Sequence, residues 1–448
     1  MREEFGNSMY RTTLTVLLAV SMAASMWLYV QWILIPYQTT QGPMRESPRG
    51  NLSDLYPRWL GARELLLHHR NPYSLDITRE SQIGYYGRPL DPTRPNDPKD
   101  QQGFAYPVYV VLLLAPTVTL QFSTVHRLFF WLFVALTTLS VPLWMRTLRW
   151  RVSKATLLVW VLLTLSCFPA IQALKLQQLT LLVAALVAAS MHALVRSHFV
   201  LAGTLLAVAT IKPQLVFLLV LWLCIWVSGD WRERRLVIGS YAIAMLVLMI
   251  SGEVLLPGWI PKFYAAVRNY NRYTGGGTLL TDLLPGFLAW ITSVILIGVA
   301  LIFAYRTRHA GQNTSLFQWS LCLSITTTLL IIRYSPYNLI LLLPAVMMLL
   351  RAGRQLWRKS RVSRFLCSMS AFAVFWPFLA AACLLAARAF LPEFVERKAS
   401  GVPLYATFAI PITVYALLLA SREVLCQGEQ FQSLRSDVRM LRHGAASE

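Results

Sequence analysis

Long apolar runs recur along the chain from Thr12 to Ala420, separated by short polar or basic links. A helix needs about 20 mostly apolar residues to cross the hydrocarbon core of a bilayer. The pattern therefore predicts an all-α polytopic membrane protein with about twelve transmembrane helices, in a range of about eleven to thirteen. The predicted spans are 13–35, 127–146, 155–173, 178–195, 199–211, 213–228, 236–256, 286–305, 316–332, 337–350, 365–387 and 403–420.

Two apolar segments, the first span and residues 104–121, need a separate interpretation. Residues 11–35 begin like a signal peptide, but the apolar run is too long and no clean cleavage site follows, so we predict an uncleaved first span. Residues 104–121 are short and interrupted by Pro107 and Pro116. They predict either a thirteenth span or a partly inserted helix at the membrane interface.

The first predicted span is followed by a long polar loop, residues 36–103. It contains nine prolines, nine Lys or Arg residues and eight Asp or Glu residues, a composition that excludes membrane burial. Within it, residues 53–67 have apolar positions near helical spacing, and Pro57 suits a first helical turn. We predict a short amphipathic helix on the membrane surface, with Tyr56 and Trp59 as interfacial anchors.

Composition agrees with a membrane protein, since 56% of the 448 residues are hydrophobic and 14% are charged. The predicted organisation is one membrane domain over residues 1–420 and a cytoplasmic tail over 421–448. The net charge of +21 comes from basic residues at the ends of apolar runs. That distribution is typical of the positive-inside rule, so no nucleic-acid partner is expected.

The basic links predict the topology. Links 146–154, 232–235 and 351–364 all become cytoplasmic if residues 104–121 do not cross the membrane. The third link also allows an anionic-lipid patch as an alternative. Both termini are then inside. The segments predicted outside are 36–103, Lys175, Lys212, 257–285, Arg333 and 388–402.

The cysteines do not predict a metal site or a disulfide framework. They lie mostly inside apolar runs, without Cys-x-x-Cys spacing or histidine partners. They are interpreted as inert thiols of the core. The six are Cys167, Cys224, Cys322, Cys367, Cys383 and Cys426.

Asp54 stands directly before the predicted surface helix. A carboxylate there caps free backbone amides, or it faces a site as a functional group. Arg58 has the same two interpretations, as an i,i+4 partner on the helix or as a cation for an anionic substrate. The Asn51-Leu52-Ser53 sequon beside it is an unfavourable place for a glycan, because the bilayer is close.

Three cations interrupt apolar sequence at helix junctions on the predicted outer side: Lys175, Lys212 and Arg333. Charges at membrane depth are costly and usually functional, although Lys175 and Arg333 are equally interpreted as snorkelling anchors. Polar neutral side chains lie near them in sequence: Gln177, Gln178, Gln214, Tyr334, Tyr337 and Asn338. Cations with one outer carboxylate fit a lipid-linked phosphate and a general base, with no metal required.

Two outer segments keep simpler interpretations open. The acids from Asp91 to Asp100 lie among prolines and predict a solvated loop. Residues 257–285 are rich in aromatic side chains, which favours an interfacial belt, whereas Gly275-Gly276-Gly277 equally favours a mobile flap.

Four stretches together resemble the GT-C membrane glycosyltransferases, and specifically glycosyltransferase family 87. Their order and spacing carry the resemblance over most of the chain. They are Asp54-Leu55-Tyr56 with Asn71-Pro72-Tyr73, Phe104-Ala105-Tyr106-Pro107 with Leu112 to Pro116, Ile211-Lys212-Pro213-Gln214, and Tyr337-Asn338-Leu339 with Pro344.

The resemblance implies an inverting transfer of a sugar, mannose by default, from a polyprenyl-phosphate donor to a lipid or glycan acceptor. The reaction would occur on the outer face of the cytoplasmic membrane, among membrane lipids and without a cofactor. Asp54 would be the general base. The implied donor-phosphate residues are Lys212, Arg58, Arg333 and Lys175, and the implied substrate residues are Tyr56, Tyr73, Tyr106, Gln178, Gln214, Tyr337 and Asn338.

The sequence departs from the family pattern where donor and acceptor would be recognised. Gln177 replaces a common glycine, residues 274–278 replace a more polar loop, and Asn338 replaces an acid. A lipid-linked-sugar flippase, another transporter and a glycan polymerase are the alternative functions. A transporter would place charges near the midplane in paired broken helices, whereas this chain gathers them at one face. The oligomeric state is open, with a monomer as the default expectation.

Overall fold

The structure is a computed structural model that describes residues 2–36, 53–91, 93–94, 97–275, 277–392, 395 and 399–425, with the backbone alone for 2–10. Within these residues the chain is all-helical, and an isolated antiparallel bridge between Thr278 and Arg333 is the one β feature. The predicted all-α membrane fold is confirmed. Residues 51 and 52 of the sequon, Cys426 and the tail from 426 onward lie outside the described residues.

The helices are numbered here in chain order. They are α1 (Arg2–Tyr29, continued by a π-helix Val30–Leu34), α2 (Tyr56–His68), α3 (Leu75–Tyr86), α4 (Val110–Leu114), α5 (Phe122–Thr147), α6 (Lys154–Ser166), α7 (Phe168–Leu176), α8 (Thr180–Val195), α9 (Phe199–Ala209), α10 (Pro213–Ser228), α11 (Trp231–Leu255), α12 (Trp259–Thr274), α13 (Leu279–Leu283), α14 (Gly286–Arg306), α15 (Ser315–Ile331), α16 (Leu343–Arg351), α17 (Gly353–Lys359), α18 (Arg361–Arg388) and α19 (Val402–Leu425). Short 3-10 helices cover Ala115–Thr117 and Pro336–Leu342.

Six of the described helices are long and apolar enough to cross a membrane: α1, α5, α11, α14, α18 and α19. Two bent pairs raise the number to eight, namely α6 with α7 and the helix over Pro336–Arg351 with α17. The prediction of about twelve spans is not confirmed. The difference comes from α8, α9, α10 and α15, which are apolar but only 10–17 residues long.

Two of the short helices, α8 and α15, are largely buried inside the protein. In α15, fourteen of seventeen residues are buried, and the hydroxyls of Thr326, Thr327 and Thr328 donate to carbonyls four residues earlier. These bonds satisfy hydroxyl groups that have no access to water. Helix α9 approaches α11 closely at Gly203, where an added Cβ would lie 2.2 Å from the Val237 carbonyl oxygen.

Helix α2 forms where it was predicted, but Trp59, which was predicted as an interfacial anchor, is buried inside the protein. Trp59 is only 5% exposed, and its indole nitrogen donates to the Thr117 carbonyl at 3.1 Å. Gly61 lies against Phe104, so closely that an added Cβ would be 2.5 Å from the ring. The segment that begins at Phe104 therefore covers part of the apolar face of α2.

Residues 104–121 do not form a thirteenth span. They contain α4, of five residues, and a 3-10 turn at Ala115–Thr117. A helix this short is far below the about 20 residues needed to cross a bilayer. Val110, Val111 and Leu114 are buried beneath α2, which makes this segment a packed floor.

The segment 257–285 contains a regular helix that sequence reasoning missed. Helix α12 begins after Gly258 and ends before Gly275. These two glycines have left-handed φ values of 67° and 81°. Trp259 is buried and packs edge-to-face with Tyr109, at 5.7 Å between ring centroids. The glycines therefore delimit a helix, and at least this aromatic residue belongs to the packed interior.

Candidate active site

A cavity of about 450 Å³ lies where the start of α2, the α7–α8 junction, the α9–α10 junction, α12 and the segment after α15 meet. It gathers residues from six parts of the sequence, because residues between Asp100 and Pro107 line it as well. Nine of the twelve predicted site residues line it: Asp54, Arg58, Tyr106, Gln178, Lys212, Gln214, Arg333, Tyr337 and Asn338.

Asp54 faces this cavity and does not cap α2. The helix N-cap is Leu55, which has no side-chain cap. The Asp54 backbone N–H donates to the Leu176 carbonyl at 2.8 Å, and its carboxylate accepts a hydrogen bond from Gln178 Nε2. The capping interpretation is therefore wrong, and the carboxylate is free to act at the cavity.

Gln177 anchors the segment that carries Asp54. It ends α7 with a left-handed φ of 49°, a conformation that favours glycine. Its side-chain oxygen accepts from Ser53 Oγ at 2.6 Å, and its nitrogen donates to the His126 carbonyl. A glycine would adopt this conformation with less strain, but it would lack both hydrogen bonds.

Lys212 is 5% exposed and stands at the start of α10. Its ammonium donates to Gln178 Oε1 and to Thr180 Oγ1, each at 2.7 Å. The Thr180 hydroxyl in turn donates to Asn338 Oδ1 at 3.1 Å. The Gln178 amide thus joins the Asp54 carboxylate to the Lys212 ammonium, and Thr180 is a contact that sequence reasoning missed.

Two tyrosine rings form a wall beside the cations. Lys212 Nζ lies 5.6 Å from the ring centroid of Tyr106 and 5.1 Å from that of Tyr337. The Arg58 guanidinium lies 4.9 Å from the Tyr106 centroid. Arg58 is buried, and its Nε has no hydrogen-bond partner among the described residues. The rings keep water away from the charges of Lys212 and Arg58. A charge with little water around it attracts an anion more strongly.

Burial shifts the pKa values of Asp54 and Lys212, the two titratable groups that Gln178 joins. It raises the pKa of the Asp54 carboxyl to about 6, against the opposing effects of Arg58 and Lys212. Burial, together with the nearby Arg58 charge, lowers the pKa of the Lys212 ammonium to about 7. A carboxylate with a pKa near the working pH is suited to general-base chemistry.

Arg333 reaches the cavity from the segment after α15. Its guanidinium lies 5.0 Å from the ring centroid of Tyr270 and donates to the hydroxyl and the carbonyl of Thr274. Its backbone forms the isolated bridge with Thr278. Arg333 therefore connects the end of α12 to the cavity wall.

Three predicted site residues do not line this cavity. Lys175 lies in the last turn of α7. Tyr56 packs edge-to-face against Phe122 at 4.9 Å between ring centroids. Tyr73 donates to the Tyr106 carbonyl at 2.7 Å, so it holds a cavity residue from outside.

The cavity also contains residues that sequence reasoning did not assign to it. Asp100 was expected in a solvated loop but faces the cavity, and its carbonyl accepts from the Tyr86 hydroxyl at 2.9 Å. Phe263, Tyr270 and other α12 residues face the cavity as well. Apolar and aromatic residues recur at helical spacing from Trp259 onward, a signal that would have predicted α12.

The fold and the cavity define a multi-pass helical membrane protein with a polar site at one end of its helices. The family model for glycosyltransferase family 87 matches residues 104–332, a little more than half of the chain. The chain therefore belongs to glycosyltransferase family 87. The match includes Gln178 and Lys212, whereas Asp54 and Arg333 lie outside it. Comparison with curated proteins and with solved structures gives no significant match.

Proposed function

We propose that this glycosyltransferase is an inverting enzyme that uses a polyprenyl-phosphate-linked sugar, mannose by default. The acceptor is a lipid or a glycan at the outer face of the cytoplasmic membrane. One observation carries the proposal: a carboxylate and an ammonium share the Gln178 amide at one cavity. The first supplies a base, and the second supplies positive charge for a departing phosphate.

In this mechanism the acceptor hydroxyl gives its proton to the Asp54 carboxylate, and its oxygen attacks the anomeric carbon. The bond from that carbon to the phosphate oxygen breaks, and the lipid phosphate leaves with the electron pair. Lys212 and Arg58 stabilise the negative charge that develops on the phosphate. One displacement inverts the anomeric configuration.

The Asp54 carboxyl is suited to the role of base by its surroundings. Its pKa of about 6 leaves it mostly ionised at neutral pH, and still basic enough to accept a proton in the transition state. The Gln178 hydrogen bond fixes the orientation of the carboxylate. Fixed geometry of this kind lowers the entropic cost of reaching the reacting arrangement.

The membrane side of the reaction is proposed from the basic links. Six segments were predicted on a common side, and four of them contribute residues to the cavity, namely those that contain Asp54, Lys212, Arg333 and α12. That agreement supports a common side. Its assignment as the outer face rests on the positive-inside rule.

The test uses the purified full-length protein in lipid nanodiscs with a panel of polyprenyl-phosphate sugars and a set of lipid and glycan acceptors. Transfer from at least one such donor is expected, with inversion visible by NMR of the product. Asp54→Asn should reduce transfer by about 10²–10⁴-fold, the usual contribution of a general base. Asp76→Asn is a matched control, because Asp76 is exposed on the same polar loop.

Two results would contradict the proposal. Normal transfer by the Asp54→Asn variant would exclude Asp54 as the base. Transfer from nucleotide sugars, with none from any lipid-linked donor, would exclude the donor class.

A further inference from the structure

A second polar cavity lies at the opposite ends of two helices that reach the Asp54 site. Helix α5 begins beside Tyr56, through Phe122, and α8 begins at Thr180, which binds Lys212. Helix α5 has 26 residues and is therefore about 40 Å long. A cavity of about 990 Å³ lies at its far end, lined also by the last turn of α8.

The lining of this cavity carries charge of one sign. Arg146, Arg149, Arg151 and Arg196 line it, and none of the lining residues is an Asp or Glu. Among the described residues, none of the four forms an ion pair. Arg149 donates a long hydrogen bond of 3.4 Å to the Asn313 carbonyl. Four cations around one concavity repel each other and attract an anion.

A histidine and an aromatic side chain also line this cavity. His192 lines it, and its Nδ1 is buried without a hydrogen-bond partner among the described residues. Beside it, Trp150 packs edge-to-face with Trp160, 5.7 Å between ring centroids, and gives the cavity an apolar wall.

We propose that this arginine cavity, formed by Arg146, Arg149, Arg151 and Arg196, binds a phosphate-bearing anion. Planar guanidinium groups pair with phosphate oxygens in two-point contacts, and the apolar wall accommodates a group attached to the phosphate. A purely topological role for these arginines requires charge but no cavity. The ligand is either a soluble phosphate compound or the headgroup of an anionic lipid, and the proposal is independent of the sugar donor.

The test measures binding of radiolabelled inorganic pyrophosphate to the full-length protein in phosphatidylcholine nanodiscs. Arg146→Gln/Arg196→Gln should weaken binding by about tenfold or more, because two charge-assisted contacts are lost. The matched control is Arg232→Gln/Arg235→Gln, which removes the same charge from exposed positions of α11. The control should change binding by less than about twofold.

A second measurement, of bound lipid, distinguishes a soluble phosphate compound from an anionic lipid headgroup. Native mass spectrometry of protein from mixed phosphatidylglycerol and phosphatidylcholine nanodiscs counts the retained lipids. Retention of phosphatidylglycerol that pyrophosphate displaces, and that the cavity variant loses, assigns the site to a headgroup. Pyrophosphate binding without such retention assigns it to a soluble compound. Equal loss in the control variant, or no binding of either probe, overturns the proposal.

Discussion

The two ends of α5 and α8 accommodate charged side chains in different ways. At the Asp54 end, a carboxylate and an ammonium are joined through one amide, with tyrosine rings beside the cations. At the other end, four arginines surround a larger and more open cavity without an acid. The first arrangement is fixed by its own hydrogen bonds, whereas the lining of the second contains no counter-charge.

This difference determines how sensitive each end is to substitution. Removing Asp54 or Lys212 leaves the other group of the pair buried without its counter-charge, which is costly. Removing one of four exposed arginines only weakens a shared field. We therefore expect the largest effects at the Asp54 end.

The largest effect after loss of Asp54 is expected from Lys212→Met, which keeps the length of the side chain and removes its charge. The catalytic efficiency kcat/KM for a polyprenyl-phosphate donor should fall by about 10²–10³-fold, the scale of a lost electrostatic contact to a transition state. Steady-state kinetics measure it. Lys262→Met is the control, because Lys262 lies on α12 and its ammonium donates to the Pro257 carbonyl. Equal losses in both variants would contradict a phosphate role for Lys212.

A smaller loss is expected from Gln178→Leu, which separates the carboxylate from the ammonium without removing either. Both groups remain, so kcat should fall by about 10–100-fold through lost orientation. Gln312→Leu is a matched control, since the Gln312 side chain donates to the Ser197 hydroxyl at the arginine end, away from the Asp54 cavity. Unchanged kcat in the Gln178 variant would show that the bridge has no role in the reaction.

The pH profile of kcat/KM should be bell-shaped. The rate should rise as pH passes about 6, where Asp54 loses its proton, and fall above about 7, where Lys212 loses its own. Each limb should change the rate by about tenfold per pH unit, and the two apparent pKa values belong to the coupled pair. Initial rates between pH 5 and 9 measure them.

Lys212→Arg sharpens this test, because a guanidinium stays protonated throughout that range. The variant should lose the alkaline limb and keep the acid limb. An alkaline limb that stays in place would assign it to another group.

The smallest effect is a difference in salt dependence between the arginine cavity and the Asp54 cavity. Raising salt from about 50 to 150 mM shortens the Debye length to about 8 Å. Pyrophosphate binding at the exposed arginines should weaken by about three- to tenfold. The KM for the lipid donor at the buried bridge should change by less than about twofold. Equal salt dependence at both ends would remove the distinction between them.

Several features were accessible from sequence because they depend on local pattern. The twelve apolar runs were located, and Pro57 with the spacing around Trp59 predicted α2. Their roles were less accessible, since an apolar run of about 15 residues does not distinguish a membrane span from a buried helix. The anchor role predicted for Trp59 was wrong because the segment that covers it begins at Phe104, far along the chain.

The sequence alone determined that charged junctions interrupt the apolar runs, and it predicted Asp54, Lys212 and Arg333 on a common side. Only the tertiary structure decided which of these junctions meet. It brought Gln178 between Asp54 and Lys212 and turned Asp100 towards the cavity, and it assembled the arginine cavity from the ends of α5 and α8. The physical reason is that periodicity fixes the face and the end of each helix, whereas packing selects its neighbours.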